Sequence, residues 1–535
     1  MNMTHKKIAI IALMLAPLAA LPAADASAAM RPNILFIAVD DLRPELGCYG
    51  KDYIKSPNID GLAKTGMVFN RAYCQQAVCS PTRSSLLTGT RPDTTRVWDL
   101  ETYFRVALPD VVTLPQYFKQ RGYFVQGMGK IYHGGFDDAP SWSVPWQNPK
   151  APIYALPENV ALNERKLQGE PDGKKGENNG AALSSYSLPQ SKEAGASTEQ
   201  KTGKKKAAGA RQPTARNSRG PAYEYADVPD NTFTDGKVAD LAVQTLRDIS
   251  KKPEPFFLAV GFIRPHLPFV SPKKYWDLYD PATIKLAPNP FLPKDAPKYA
   301  ILEGSEMRSY HAIPEGHIPD DLALKLKHGY YAGVSYTDAQ VGKVLAELDR
   351  LGLRHSTIII LWGDHGWKLG EHDAWCKHSN VENDVNAPLI LSVPGMKNAG
   401  TRTDALVEFV DIYPTLSELA GLPLPGHLEG TSFKPLLANP KQPWKTAAFS
   451  QYPRRDVKGV GELMGYSMRT DRYRFTVWVL RNDHLKVDAV ELYDHEADPQ
   501  ENINIAKRPE NAQLVSQLMA QWKKGWQGAK PLVTK

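Results

Sequence analysis

Two pairs of adjacent polar side chains each follow a strongly apolar run of the sequence. Asp40 and Asp41 come directly after NILFIAV, and Asp364 and His365 come directly after STIIILWG. Continuous apolar runs of this length predict buried strands of a parallel sheet, and ligands bind where the carboxyl ends of such strands meet. A single acidic pair would be more typical of a solvated loop, but the two pairs together predict a site for a hard cation, Ca²⁺ or Mg²⁺.

A lone cysteine lies in the polar and basic stretch AVCSPTRSSLLTG. Ser80 can cap a helix and Pro81 fits its first turn, so we expect Cys79 just before a helix N-terminus, with Arg83 one turn inside the helix. The unpaired backbone N–H groups and the helix dipole favour an anion at such a position. The residue types alone therefore predict a reacting centre that binds an oxyanion, with Cys79 as a candidate nucleophile.

Apolar runs alternate with helical patterns through most of the chain. Such alternation predicts an α/β fold, in which a large and mostly parallel sheet is covered by helices on both faces. The predicted strands are residues 33–39, 255–262, 356–362 and 387–393. The predicted helices are a short one after Ser56-Pro57 and residues 113–121, 237–250, 321–351 and 412–420.

The sequence pattern changes at about residue 447. The segments YSMRT, YRFTVWV and VELYDH alternate apolar and polar residues, which predicts antiparallel strands, and residues 511–525 are predicted as a final helix. We therefore expect a large catalytic domain at 29–445 and a smaller C-terminal α+β subdomain, containing an antiparallel sheet, at 446–535.

The first 28 residues have the composition of a secretory signal peptide. Two lysines precede the uncharged apolar run 8–21, and Ala26-Ser27-Ala28 form an A-x-A cleavage site. The run is short for a bilayer span, although a signal anchor is the alternative. No later apolar run has the length of a transmembrane helix. The mature protein is therefore predicted to be periplasmic or secreted, with no stable membrane span after cleavage.

Residues 165–222 form a basic segment that is almost without large apolar side chains. The whole chain carries a formal net charge of +7, but ten Lys and Arg face five Asp and Glu between Gln168 and Gly220 alone. The remainder of the mature chain is close to neutral, which argues against a nucleic-acid partner. So polar a segment cannot bury enough surface to offset its ordering entropy, which predicts a disordered insertion; a basic tail that contacts glycans is the alternative.

The other cysteines and two further histidines are predicted to be structural. Four cysteines are too few for a disulfide scaffold in 535 residues. Cys48, Cys74 and Cys376 are expected to be buried thiols, or to include one pair. His372 and His378 are expected to have structural roles.

The cysteine stretch carries a specific resemblance. C-S-P-T-R at 79–83, followed by S-S-L-L-T-G, resembles the C-x-P-x-R signature of the type I sulfatases, in which a maturation enzyme oxidises the cysteine to Cα-formylglycine. Longer stretches such as VDDLRPELGCYG, FFLAVGFIRPHLPF, GDHGWKLGEH and MGYSMRT resemble the iduronate-2-sulfatase group of that family. The order G-K-I-Y-H at 129–133 also follows that group, where many sulfatases have G-K-x-H. The similarity covers most of residues 31–505 and implies an alkaline-phosphatase-like fold.

The resemblance implies a metal centre and a nucleophile. One hydroxyl of the formylglycine hydrate at position 79 would attack sulfur, with the metal and Arg83 favouring the alkoxide, to form a covalent sulfate ester. The implied Ca²⁺ ligands are Asp40, Asp41, Asp364, His365 and formylglycine 79.

The resemblance also implies the remaining catalytic groups. Lys130, Lys377 and His266 would neutralise the sulfate oxygens, and His266 or Lys377 would protonate the leaving sugar oxygen. His133 would remove a proton from the second hydroxyl, so that sulfate is released and the aldehyde regenerated. Trp367, next to the metal pair, is expected either to lie in the core or to stack on a sugar face.

The function implied is that of an exported, Ca²⁺-dependent sulfatase. It would hydrolyse the 2-O-sulfate of iduronate or another uronate in a sulfated polysaccharide or oligosaccharide, after activation by a formylglycine-generating maturation enzyme. Three alternatives stay open. They are a sulfatase for another sulfated glycan, such as an algal galactan; a phosphoesterase of the same superfamily, which would use Ser or Thr and two zinc ions; and a glycan-binding protein whose Cys79 is never matured.

Overall fold

The apolar run NILFIAV forms an interior strand of a seven-stranded sheet. The computed structural model describes residues 31–168, 218–302 and 306–531. The strands of the sheet are β1 (Asn33–Val39), β2 (Met67–Phe69), β3 (Phe124–Gly129), β4 (Phe256–Phe262), β5 (Thr357–Gly363), β6 (Leu389–Ser392) and β7 (Thr401–Thr403). Their spatial order is β7-β2-β6-β5-β1-β4-β3.

The sheet is parallel except at β6. β1 pairs in parallel with β5 and β4, β4 with β3, and β2 with β7, whereas β6 is antiparallel to both of its neighbours. The connection between β5 and β6 contains no long helix that would return the chain to the opposite end of the sheet, so the chain re-enters from the same end. The prediction of a mostly parallel sheet is confirmed, and the strand predicted at 387–393 is its antiparallel member.

Helices cover both faces of the sheet because side chains alternate along each strand. Leu35, Ile37 and Val39 of β1 belong to one core, and Ile34 and Phe36 to the other. The longer helices are α1 (Pro57–Thr65), α2 (Cys79–Thr88), α3 (Leu114–Gln120), α4 (Pro157–Leu167), α5 (Thr234–Ile249), α6 (Asp320–Arg350), α7 (Ile412–Leu419) and α8 (Ala512–Lys523). α1, α5 and α6 contribute to the first core, and α2, α3 and α7 to the second.

Short elements complete the α/β part of the chain. The short α-helices are Pro92–Thr95, Lys273–Trp276, Glu382–Val385 and Lys434–Ala438. The two-stranded pairs are Ala72–Tyr73 with Val407–Glu408, Lys368–Leu369 with Trp375–Cys376, Arg219–Pro221 with Tyr310–His311, and Tyr223–Ala226 with Phe269–Pro272.

A second, antiparallel sheet follows near the C-terminus. Its strands pair in chain order and are β8 (Ala448–Val457), β9 (Gly461–Arg469), β10 (Tyr473–Leu480) and β11 (Asp483–Asp494). Leu518 of α8 packs against apolar residues of this sheet, including Met464 and Phe475. The antiparallel strands and the final helix predicted from the sequence are confirmed, and the domain boundary at 445/446 stays a prediction.

The helix that carries Cys79 begins earlier than the sequence predicts. Cys79 is its first residue, and the preceding Val78 has an extended backbone (φ −161°, ψ 143°) and accepts the Thr82 N–H through its carbonyl at 3.2 Å. Ser80 and Pro81 therefore lie inside the first turn, and Ser80 makes no capping hydrogen bond. The first turn accommodates proline because its N–H groups have no partner within the helix.

Both ends of the predicted basic insertion belong to described elements. Residues 165–167 are the last residues of α4, and residues 219–221 form a strand. The Gly220 N–H donates to Asn163 Oδ1 at 3.0 Å, and the Tyr154 hydroxyl donates to the carbonyl of Pro221 at 2.7 Å. These contacts join the two ends. The rest of the predicted insertion and the predicted signal peptide lie outside the described residues, within which no helix is long and apolar enough to cross a membrane.

Candidate active site

The carboxyl ends of β1, β3 and β5 bring three charged residues to one edge of the sheet. Asp40 directly follows β1, Lys130 follows β3 and Asp364 follows β5. The parallel hydrogen bonding continues past the strand ends, because the Asp40 N–H donates to Phe262 O at 3.1 Å and the Lys130 N–H to Gly261 O at 3.0 Å. The sheet therefore fixes the backbone positions of Asp40, Lys130 and Asp364.

The predicted metal ligands lie together around Cys79. The Cys79 Sγ atom is 3.4 Å from Asp40 Oδ1 and 3.5 Å from His365 Nε2. The same His365 nitrogen is 3.4 Å from Asp41 Oδ1 and 3.6 Å from Asp364 Oδ1. All five residues are buried. Three convergent carboxylates with one imidazole are a donor set that fits a hard divalent cation, and carboxylate oxygens are the ligands that Ca²⁺ and Mg²⁺ prefer.

Arg83 connects the cysteine helix to this cluster. Its Nε donates to Asp364 Oδ2 and its Nη2 to Asp40 Oδ1, both at 3.0 Å. Its Nη1 donates to the carbonyls of Lys130 at 2.5 Å and Ile131 at 2.9 Å. Burial would lower the pKa of Arg83, but the two carboxylates outweigh it and raise the pKa above its usual value. Arg83 is thus a fully buried cation that orients two of the candidate metal ligands.

Lys130 and His133 approach the cluster from the end of β3. The Lys130 ammonium donates to Asp40 Oδ2 and lies 3.6 Å from Cys79 Sγ. His133 is half-buried, and its Nδ1 has no hydrogen-bond partner within the part of the chain that the structure describes. Burial, followed by the Lys130 charge, lowers the pKa of His133 to about 3. The ring is therefore held in its neutral form, in which one of its nitrogens can accept a hydrogen bond.

His266 and Lys377 lie close to Asp41. His266 Nε2 is 3.7 Å from Asp41 Oδ2, and Lys377 Nζ is 3.1 Å from both carboxylate oxygens of Asp41. Burial would lower the pKa of His266, but Asp41 and Glu306 raise it to about 10. The sequence-predicted cations therefore surround the metal-ligand cluster, two on the side of Asp41 and Lys130 on the side of Asp40.

Glu306 belongs to the site and was missed from the sequence. Its Oε1 is 3.1 Å from His266 Nε2, and its Oε2 is 2.7 Å from Lys377 Nζ. Burial would raise the pKa of Glu306, but Lys377 and His266 hold it well below its usual range. Glu306 lies in a segment without a helix or strand pattern, and a single acid in such a segment gives no signal by itself.

Trp367 does not present a face to a sugar. It is 0 % exposed, and its ring centroid lies 6.4 Å from those of Phe269 and His266. The Lys377 ammonium lies over the Trp367 ring at 4.7 Å from its centroid, a cation–π contact. Of the two alternatives predicted for Trp367, this burial favours a place in the core, where the ring packs beneath Lys377.

The four cysteines and His372 are interior residues, and His378 is half-buried. All four cysteines are free and buried, so the predicted alternative of one disulfide pair is wrong. Burial and Asp40 raise the pKa of the Cys79 thiol to about 11. His372 is fully buried, and the His378 ring packs at 6.0 Å from that of Tyr452. Their structural roles stay predictions.

Asp384 holds the loop that carries Asp364, His365, Trp367 and Lys377. The loop runs from Asp364 to residue 388, between β5 and β6. Asp384 Oδ2 accepts from the Lys368 ammonium and from the Ser379 hydroxyl, and its carbonyl accepts the Gly366 N–H at 2.7 Å. One buried carboxylate therefore ties the beginning of the loop to the segment just after Lys377. No pattern in the sequence indicates a role for this residue.

The fold and the site together are those of a sulfatase. A family profile described as "Sulfatase" matches residues 32–422, and the chain belongs to this family. A second profile, described as "N-sulphoglucosamine sulphohydrolase, C-terminal", matches residues 370–527. The chain is therefore a sulfuric ester hydrolase.

Two curated relatives indicate which sulfatases it is similar to. The chain is 35% identical over 559 residues to the iduronate 2-sulfatase of Mus musculus and 35% identical over 564 residues to that of Homo sapiens. Both alignments cover 91% of this chain and 93% of the relative. A solved structure, the phosphonate monoester hydrolase of Agrobacterium radiobacter, shares the fold with a TM-score of 0.66 and 20% identity, covering 92% of this chain and 95% of that one.

Proposed function

We propose that this chain is an exported sulfatase that removes the 2-O-sulfate of iduronate, or of another uronate, from a sulfated polysaccharide or oligosaccharide. The observation that carries the proposal is the buried cluster at residue 79, where acids, lysines and histidines converge on one side chain. The similarity to iduronate 2-sulfatases over nine-tenths of both chains supports the substrate class. Export is supported by the signal-peptide pattern of the first 28 residues.

Residue 79 acts in this proposal after conversion to Cα-formylglycine. The C-S-P-T-R motif supports the conversion by a maturation enzyme. Hydrated formylglycine would supply two hydroxyl groups on one carbon, one to attack sulfur and one to allow release of sulfate. The helix N-terminus at Cys79 favours the negative charge that this chemistry develops.

Ca²⁺ is the proposed metal. Asp40, Asp41, Asp364 and His365 would hold it, together with residue 79, and the predominance of carboxylates supports a hard cation. The metal would polarise a sulfate oxygen and favour the alkoxide form of the nucleophile. Arg83 holds Asp40 and Asp364 in place through two buried ion pairs.

The remaining groups bind sulfate and move protons. Lys130, Lys377 and His266 neutralise the charge that develops on the sulfate oxygens. As the S–O bond breaks, its electron pair stays on the sugar oxygen, which takes a proton from His266 or Lys377. His133, neutral and half-buried, accepts the proton of the second hydroxyl.

Desulfation of defined disaccharides tests the substrate. We expect sulfate release, measured by ion chromatography, to be fastest from a disaccharide that ends in a 2-O-sulfated uronate. A preference for 6-O-sulfated hexosamine would reject the proposed specificity, and faster hydrolysis of a matched phosphate ester would favour the phosphoesterase alternative.

Peptide mass spectrometry across residue 79 tests the nucleophile. We expect residue 79 of the natively produced protein to carry an aldehyde. We also expect loss of sulfate release in Cys79→Ser. Cys48→Ser is the matched control, because Cys48 is also a buried free thiol but does not belong to the cluster. An unmodified thiol at residue 79 in an active enzyme, or full activity in Cys79→Ser, would reject the formylglycine mechanism.

A further inference from the structure

A carboxylate outside the candidate metal-ligand groups contacts both candidate proton donors. Glu306 Oε1 is 3.1 Å from His266 Nε2, and Glu306 Oε2 is 2.7 Å from Lys377 Nζ. We propose that Glu306 is a positioning residue for departure of the sugar oxygen, because one carboxylate fixes both side chains that can protonate it. The inference rests on the role proposed above for His266 and Lys377 as proton donors to the leaving sugar oxygen.

Glu306 stands apart from the metal-ligand cluster. The described groups of His, Cys, Asp and Glu donors that could hold an ion at this site combine residues 40, 41, 79, 266, 364 and 365, and none of them includes Glu306. A carboxylate in a pocket for an anionic ester opposes binding of that ester, because like charges repel. The two short contacts of Glu306 with His266 and Lys377 offer a reason for a carboxylate here despite this cost to binding.

The geometry at Lys377 shows what Glu306 contributes. An ammonium group has three N–H donors. Lys377 directs its ammonium to Asp41 at 3.1 Å and to Glu306 at 2.7 Å, while the face of Trp367 lies 4.7 Å away. With two donors so directed, the tetrahedral ammonium has one direction left for its third N–H. Without Glu306 the Lys377 ammonium could rotate, and its third N–H would no longer have a fixed direction.

The His266 ring is fixed in the same way. Its Nδ1 is 2.6 Å from the carbonyl of Leu267, which accepts only, so Nδ1 carries a hydrogen. Its Nε2 faces Glu306 Oε1 at 3.1 Å. Both N–H groups of a protonated His266 are thus engaged, one with the backbone and one with Glu306, so His266 can give a proton to the sugar oxygen only after its Nε2 contact with Glu306 is broken. The Lys377 ammonium keeps a third N–H and can donate while it stays in contact with Glu306. The same carboxylate therefore sets the orientation of both candidate donors.

The first experiment separates binding from chemistry. Glu306→Gln keeps the shape of the side chain and removes its charge. With a 2-O-sulfated uronate disaccharide, we expect kcat to fall by about 10- to 100-fold with KM changed less than about threefold, because misplaced donors slow the chemical step. Glu306→Asp keeps the charge on a shorter side chain, and we expect it to restore part of the lost kcat.

The second experiment varies the leaving group. A 4-nitrophenolate leaves without a proton, so we expect Glu306→Gln to affect hydrolysis of 4-nitrophenyl sulfate much less than that of the disaccharide. Glu491→Gln is the matched control, since Glu491 is also a buried glutamate, but it contacts Trp478 and Tyr493 in the C-terminal sheet. We expect this control to leave the ratio of the two activities unchanged.

The outcomes distinguish this inference from the proposed function. If the wild-type enzyme releases sulfate from the disaccharide but Glu306→Gln loses both activities equally, changes KM alone, or loses nothing, the positioning role is wrong and the proposed function stands. If the wild-type enzyme leaves every 2-O-sulfated uronate intact, the proposed substrate fails first, and the inference fails with it. A selective loss of kcat on the disaccharide, with partial recovery in Glu306→Asp, supports the inference.

Discussion

Arg83 Nε and Asp364 Oδ2 are 3.0 Å apart, and both side chains are fully buried. The pair joins the second turn of the cysteine helix to the end of β5, and the same guanidinium also donates to Asp40. An isolated buried cation would be very costly, and the contacts with the two acids compensate for its burial. The position of residue 79 and the spacing of the metal ligands are therefore set by one side chain.

Arg83→Lys should lose this coupling. A lysine carries the charge but cannot donate to Asp364, Asp40 and the backbone carbonyls at the same time. We expect kcat/KM for sulfate release to fall by about 100-fold or more, with a stability loss of about 3 kcal/mol from the imperfectly paired buried charges. Arg350→Lys is the control, because Arg350 is exposed and its partner Glu347 also pairs with Arg247, so we expect neither quantity to change. Wild-type kinetics in Arg83→Lys would contradict the proposed role.

Gly129 should tolerate no side chain. Its φ is +65°, and a Cβ added there would lie 2.0 Å from the carbonyl oxygen of Gly261. Gly129→Ala must therefore shift the backbone that starts Lys130, and we expect a lower melting temperature together with a loss of kcat. Gly135→Ala is the matched control, because Gly135 also has a positive φ of +88° but has no atom within 4 Å of the added Cβ. Equal effects of the two substitutions would show that backbone strain, and not the contact, is responsible.

Removal of the metal should lower both activity and stability. We expect a chelator to abolish sulfate release and to lower the melting temperature, and added Ca²⁺ to restore both. A ligand at 100 times its Kd stabilises the folded state by about 2.7 kcal/mol. In Asp41→Asn the shift produced by Ca²⁺ should shrink or vanish. Full activity after exhaustive chelation would contradict a metal-dependent mechanism.

A second cluster in the chain provides the control for that experiment. Glu382, His495 and Glu501 also come close enough to hold an ion. Arg474 already occupies their carboxylates, because its Nε donates to Glu501 at 2.5 Å and its Nη2 donates to Glu382. Glu501→Gln should therefore lower stability but leave the shift of the melting temperature by Ca²⁺ unchanged.

The sequence predicted those parts of the site that depend on strand ends. Asp40 and Asp364 could be placed together because parallel strands end at the same edge of the sheet, and the buried runs before them are long and unbroken. Cys79 was recognised through its motif. Glu306 was not predictable, because it reaches the site from a segment without periodicity, and its partners lie 40 and 71 positions away in the chain. Contacts between residues so far apart in the chain leave no short-range pattern in the sequence.

The same limit explains why the sequence left two alternatives for Trp367. A tryptophan beside two metal ligands suggests a substrate contact, but its exposure depends on what covers the loop. Phe269 and His266 come from the segment after β4 and close over the ring. The antiparallel direction of β6 is a similar case, since it depends on how the long loop before it folds, and an apolar run looks alike in both directions.

Asp384→Asn should separate loop geometry from global stability. The substitution weakens the buried contacts with Lys368 and Ser379, which close the loop that carries Lys377. We expect a stability loss of about 3 kcal/mol, because the Lys368 ammonium is left buried without its carboxylate, and a fall in kcat measured well below the melting temperature. Asp411→Asn is the matched control, since Asp411 forms a buried pair with Lys445 outside this loop. We expect the control to lose comparable stability, measured by chemical unfolding, while retaining kcat. If both variants lose kcat in proportion to their stability, Asp384 serves the fold alone and has no separate role in placing Lys377.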